Sequence, residues 1–163
     1  LRAINVGGTG TLPMTELKAM CKAAGFDKVR TYIASGNVVF ESALSESAVK
    51  TALEARLETY AGKPIGVLVR SAAEMAAVSA ANPFPDAAAN RVVAIFLDEV
   101  PPADTLAQVV SWSTEDIRSG KREIYVHYPD GQARSKLRIP AAKGGTARNM
   151  NTVAKLAEMA AAL

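Results

Sequence analysis

The chain has 163 residues, 49% of them hydrophobic and 21% charged, and a formal charge of +3. That length suits one compact domain or two small halves and excludes a large multidomain enzyme. Thirty-one alanines still leave larger apolar side chains at about 30% of the chain, enough to build a core and too many for disorder.

Residues 1–70 alternate between strand and helix signals. Residues 1–6 read as a short apolar strand, broken by Gly7-Gly8-Thr9-Gly10 before a helix opened by Pro13. Leu17, Met20, Cys21 and Ala24 form the apolar stripe of that helix, and Gly25 ends it at a left-handed cap. Cys21 is therefore expected in the core. Val29, Thr31 and Ile33 alternate with Arg30 and Tyr32, and Ser35-Gly36-Asn37 turns the chain into a strand over 38–41. A second helix starts near Ser45, buries Val49, Leu53, Leu57 and Tyr60, and stops at Gly62 and Pro64 before a strand over 65–69. The order βαββαβ is that of a ferredoxin-like half, with both helices on one face of a four-stranded antiparallel sheet.

Residues 71–90 read as a connecting helix, opened by a Ser71/Glu74 capping box, and a linker holding Pro83 and Pro85. Residues 91–163 form a second α+β half. Its continuously apolar run 92–97 is expected to be a strand buried on both faces, followed by a helix from Pro101-Pro102 that uses Leu106, Val109 and Val110. A short strand near 113–118 and a clearer one over 123–128 precede the turn Pro129-Asp130-Gly131. Val153, Leu156, Ala160 and Leu163 mark the final helix. The expected fold class is α+β, two ferredoxin-like halves with antiparallel sheets.

Charge divides as +3 over residues 1–70, −5 over 71–118 and +5 over 119–163. A basic last third suits an anionic partner, though it equally suits a solvated surface. The longest uncharged stretch, residues 3–15, is broken by three glycines and Pro13 and falls short of the roughly 20 apolar residues of a membrane helix. No membrane partner is expected. A lone cysteine cannot close an internal disulfide, which points to the cytoplasm. Leu1 is not an initiator methionine, so the natural start is expected upstream.

Several chemistries lack their residues. One Cys and one His exclude a Cys/His zinc site, and no metal is expected. No serine is tied to His127 by a recognised motif, and the adjacent carboxylates Asp98-Glu99 and Glu115-Asp116 point to opposite faces of an extended chain, as surface charge does. An RNA-recognition motif needs aromatics on its first and third strands, and residues 1–6 have none. Polar candidates remain. The Gly7-Gly8 loop lies between strand and helix, where backbone N–H groups can meet a phosphate, although a plain turn fills the same place. Arg30 and Tyr32 offer a strand-surface pair, with Asn5, Ser35 and Asn37 at strand ends and turns. Lys136 lies in the basic run 134–138, and Arg148 with Asn149 precedes the last helix. These two either hold an anion, or Asn149 caps the helix while Arg148 pairs with a carboxylate.

As a set, certain motifs resemble a known family. They are Arg2-Ala3-Ile4-Asn5-Val6-Gly7-Gly8, Leu12-Pro13-Met14 with Glu16-Leu17, the hairpin run from Val29 through Ser35-Gly36-Asn37 to Phe40, residues 131–137, and Thr146-Ala147-Arg148-Asn149-Met150-Asn151-Thr152-Val153. The chain is similar over nearly its whole length to the bacterial domain of unknown function 1697. The resemblance implies two ferredoxin-like halves and no particular activity, substrate or cofactor. This chain departs from the family pattern at Thr9-Gly10, Ala34 and Met150.

The expected function is a cytoplasmic binding module for an anionic ligand, a phosphorylated metabolite or nucleic acid, in a groove between the halves. Its expected parts are Asn5, Gly7, Gly8, Arg30, Tyr32, Ser35, Asn37, Lys136, Arg148 and Asn149. The alternatives are an enzyme such as a transferase whose cofactor supplies the chemistry, and a protein-interaction or dimerisation module using an apolar sheet face. The sequence names no cofactor and no oligomeric state.

Overall fold

The computed structural model describes residues 1–6 and 11–163, so Gly7 and Gly8 lie outside the described residues. The chain is α+β, and its described residues form two antiparallel sheets, one of two strands and one of four. It divides into two compact units, Leu1–Ala72 with Glu158–Leu163, and Ala73–Ala157.

The first unit contains α1 (Met14–Ala23), β1 (Asp27–Tyr32), β2 (Asn37–Glu41) and α2 (Glu46–Ala61). Pro13 precedes α1, and Gly25 follows it with φ +85°. The Ser45 side chain accepts the Ala48 N–H at 3.2 Å, and Gly62 closes α2 with φ +71°. Leu17, Cys21, Leu53 and Leu57 are buried together with Phe26 and Val29, with Met20 packed against them. Phe26 stacks on Phe40 with ring centroids 4.3 Å apart. A bulge at Lys28, whose φ is +51°, lets Asp27 face Glu41 while Arg30 faces Val39.

The strands expected over 1–6 and 65–69 do not form. Ala3 and Asn5 take φ of +50° and +53°, which twists the first segment out of the extended region. The Arg2 N–H donates to the Gly66 carbonyl at 2.9 Å, which marks where the ladder would run. Both segments still bury apolar side chains, Leu1, Ile4 and Val67, in the same core. Burial survives without strand geometry.

The second unit spans most of α3 (Ala72–Ala80), then β3 (Val92–Phe96), β4 (Asp116–Ser119), β5 (Glu123–His127), β6 (Thr146–Asn149) and most of α4 (Met150–Ala161). Its sheet runs β4-β5-β3-β6, every neighbour antiparallel. Every β3 residue is buried, as a strand covered on both faces must be. One face packs Val93, Ile95, Ile117, Ile124, Val126 and Tyr128 into a core. On the other, the Tyr125 hydroxyl donates to the Val78 carbonyl of α3 at 2.9 Å.

The helix expected after Pro101-Pro102 shrinks to a 3-10 turn over Leu106–Gln108. Leu106 and Val110 are exposed, so no apolar stripe is buried to reward a longer helix. Val110 instead exchanges two backbone hydrogen bonds with Arg138, each 2.9 Å.

Candidate functional site

The Val110–Arg138 bridge draws together two segments that the sequence separates by more than twenty residues. Beyond it, Ser111 takes φ +57° and starts a tight loop over 111–115. Opposite, Gly131, with φ +88°, follows the turn after β5, whose Gly131 N–H donates to the Tyr128 carbonyl at 3.0 Å. A cleft of about 580 Å³ opens between the two loops, within the range of small-ligand sites.

Glu115 organises its floor. The carboxylate accepts the Ser135 hydroxyl at one oxygen and the Ser113 N–H, 2.9 Å away, at the other. The Ser135 hydrogen bond, followed by bonds from backbone N–H groups, holds the Glu115 carboxyl below its ordinary range. The expectation of Glu115 as surface charge is therefore corrected: the residue is 9% exposed and its oxygens cap a loop. Beside it, burial and then the Glu115 charge push the Tyr128 hydroxyl up. Asp130 accepts the Thr114 hydroxyl at 3.0 Å, a second tie between the loops.

Trp112 is held differently. Its indole N–H donates to the Glu115 carbonyl at 2.7 Å, yet the residue stays 45% exposed. The bond fixes the ring while leaving apolar surface on the cleft. Arg134 and Lys136 also line the cleft, both exposed, and neither forms a salt bridge among the described residues. Of the residues proposed from sequence, among the described residues only Lys136 lines this cleft. Trp112 lies outside the sequence candidates, although a lone tryptophan between Ser111 and Ser113-Thr114 is a signal of its own, an apolar ring in a polar run.

The other sequence candidates fall elsewhere. Asn5 donates its amide to the Leu12 and Ala34 carbonyls, at 2.8 and 2.7 Å, and accepts the Leu12 N–H at 2.6 Å. Those bonds tie together the segments flanking residues 7–10 and the hairpin turn. Asn37 is buried, donating to the Tyr32 carbonyl at 3.1 Å and the Ser35 hydroxyl at 2.9 Å. Arg30 and Tyr32 occupy alternate positions on β1, opposite Val39 and Asn37, with Arg30 exposed. The structure thus groups Asn5, Ser35 and Asn37 around one turn, where the amides hold backbone.

In the second unit, Asn149 caps α4: its side-chain oxygen accepts the Thr152 N–H at 3.0 Å. Arg148 sits on β6 opposite Ala94 and donates to the Thr146 hydroxyl at 2.9 Å and the Ala147 carbonyl at 2.8 Å. Burial lowers its pKa from the ordinary arginine value. Neither residue lines the cleft.

The geometry also bears on catalysis. A serine tied to a carboxylate resembles a nucleophile with its base, but the lowered pKa of Glu115 makes it a weak proton acceptor. The Ser135 hydroxyl oxygen is further engaged by the Leu137 N–H at 3.1 Å. Among the described residues, no three His, Cys, Asp or Glu side chains gather as metal ligands. No described helix is long and apolar enough to cross a membrane.

The fold, α+β with two antiparallel sheets, is shared with a solved protein. The chain matches the structure of conserved bacterial protein SP0830 from Streptococcus pneumoniae with a TM-score of 0.79 and 24% identity, over 98% of this chain and 94% of that one. At that identity the likeness shows the fold alone. The chain belongs to the family described as Protein of unknown function (DUF1697), whose model matches residues 1–125. A comparison with curated proteins finds no match.

Proposed function

We propose that the protein is a cytoplasmic binding module for a small anionic ligand, a phosphorylated metabolite, with the cleft of the second unit as its site. One observation carries the proposal: Arg134 and Lys136 flank a preformed cleft and form no salt bridge among the described residues. Exposed cations of that kind usually face solvent, but here they border a cavity whose carboxylates already accept loop hydrogen bonds. An incoming phosphate would meet two donors of charge-assisted bonds. The cytoplasmic placement rests on composition, a single cysteine that is buried and free.

The second unit supports a ferredoxin-like reading of the fold. β3 and β4, joined by a crossover, flank β5, and β5 and β6 flank β3, which is a split βαβ pattern. The 3-10 turns at Leu106–Gln108 and Pro140–Ala142 stand where crossover helices would run.

Titration calorimetry with ribose 5-phosphate tests the site. The parent protein should bind it, more weakly as salt rises, because the contacts are solvent-facing charges. Arg134→Ala and Lys136→Ala should each weaken binding about tenfold. Equal affinity in the parent and in the double variant would reject the cleft as the anion site.

A further inference from the structure

Resting on the anion site proposed above, we infer that the ligand is a nucleoside monophosphate, with its base stacked on Trp112. The cleft offers three different groups to one molecule. Trp112 presents an exposed aromatic surface whose orientation is set by its 2.7 Å bond to the Glu115 carbonyl. Arg134 and Lys136 supply two positive charges on the same cavity. Asp130 uses one carboxylate oxygen for the Thr114 hydroxyl and shows no other partner among the described residues, which leaves an acceptor for a ribose hydroxyl.

Each part of the cleft limits the class of ligand. A simple anion would gain nothing from a tryptophan that lines the cleft and stays 45% exposed. A purely aromatic ligand would leave the two cations unused. A phosphate monoester carries about −1.5 to −2 charges at neutral pH and would meet Arg134 and Lys136, the two cations of a lining that also holds Glu115 and Asp130. A triphosphate would crowd further charge against Glu115 and Asp130, which line the same cavity. The volume of about 580 Å³ admits a ligand carrying a base, a sugar and one phosphate.

Trp112 is also the only tryptophan, so its fluorescence reports on the site alone. Adenosine 5′-monophosphate should quench that emission saturably. Calorimetry should show it binding about tenfold to a hundredfold more tightly than ribose 5-phosphate, the usual gain from one base stacked on an aromatic side chain. Trp112→Ala should bring the nucleotide down to the ribose 5-phosphate level and leave ribose 5-phosphate unaffected. Trp112→Phe, which keeps a ring, should restore most of the difference. Because Trp112 is partly exposed, both variants should fold, as circular dichroism would verify. If the nucleotide binds no better than ribose 5-phosphate and Trp112→Ala changes neither, the stacking inference is overturned while the anion site stands. Failure of both ligands to bind would sink the anion site with it. A single-stranded oligonucleotide that binds a hundredfold more tightly than the mononucleotide would overturn the small-ligand assignment in favour of nucleic acid.

Discussion

Gly25 and Gly36 share a left-handed backbone, with φ of +85° and +86°, but differ in their surroundings. A Cβ at Gly25 meets nothing within 4 Å, whereas one at Gly36 would lie 2.6 Å from Cδ1 of Ile4 and 3.0 Å from Cβ of Leu1. Gly25→Ala should therefore cost only backbone strain, about 1 to 2 kcal/mol. Gly36→Ala should cost roughly 1 to 3 kcal/mol more, because the hairpin turn must back away from the core. Urea denaturation of the two variants measures the difference directly. Cys21 offers a second test at this scale. It is fully buried in the first unit, and burial pushes its thiol up to about 11, slightly offset by the Arg56 charge. A thiol reagent should label it slowly in the native protein and rapidly in urea. Fast native labelling would mean that the helix does not bury it.

At the scale of elements, the four-stranded sheet ends in the cap of its own last helix. β6 finishes at Asn149, and the side chain of that residue accepts a backbone N–H from the first turn of α4. Asn149→Ala should lower stability by about 1 kcal/mol, the usual worth of an N-cap, and leave ribose 5-phosphate affinity unchanged. A variant of normal stability that had lost phosphate binding would return Asn149 to the site. Tyr125 joins sheet and helix in a similar way, through its hydroxyl bond to Val78. Tyr125→Phe keeps the ring but leaves the Val78 carbonyl without that donor. It should cost about 1 kcal/mol or slightly more in the same assay.

For the whole molecule, the pH dependence of stability follows from groups in both units. Cys21 holds its proton up to about 11 in the fold but releases it near 9 when unfolded. Over that window the native state binds more protons than the unfolded state, so stability falls as pH rises. Burial also raises Tyr125 and Tyr128, which extends the loss to higher pH. Glu115 acts in the opposite sense at low pH. Its folded pKa lies below 4.5, so its contribution is present above 4.5 and disappears as pH falls through the folded value. Denaturation midpoints should therefore fall on both sides of a neutral plateau. Cys21→Ala should flatten the alkaline limb between pH 9 and 11, and Glu115→Gln the acid limb. An alkaline limb unchanged in Cys21→Ala would show that the thiol is not buried as described.

What could be read in advance was local. The apolar stripe of α1, that of α2 except for Tyr60, which is exposed, the core place of Cys21, the hairpin through Ser35-Gly36-Asn37, the start of α2 near Ser45 and the doubly buried β3 all follow from spacing or from single-residue chemistry. The family, too, was legible in short motifs. Tertiary structure decided the rest. Positive φ at Ala3 and Asn5 removed a strand whose apolar residues still went into the core, since hydrophobicity specifies burial more strongly than it specifies extended backbone. Asn5 looked available as a ligand donor because composition cannot show which backbone groups need a partner, and Asn149, open in the sequence as either ligand donor or helix cap, caps α4 in the structure. Glu115 looked like surface charge because the hydroxyl that satisfies it, on Ser135, is twenty residues away. The cleft itself needed the Val110–Arg138 bridge and a strained turn at Ser111. Sequence alone specified the partners close along the chain, and only folding brought Trp112, Arg134 and Lys136 to one cavity, because contacts between distant segments depend on the packing of the entire unit.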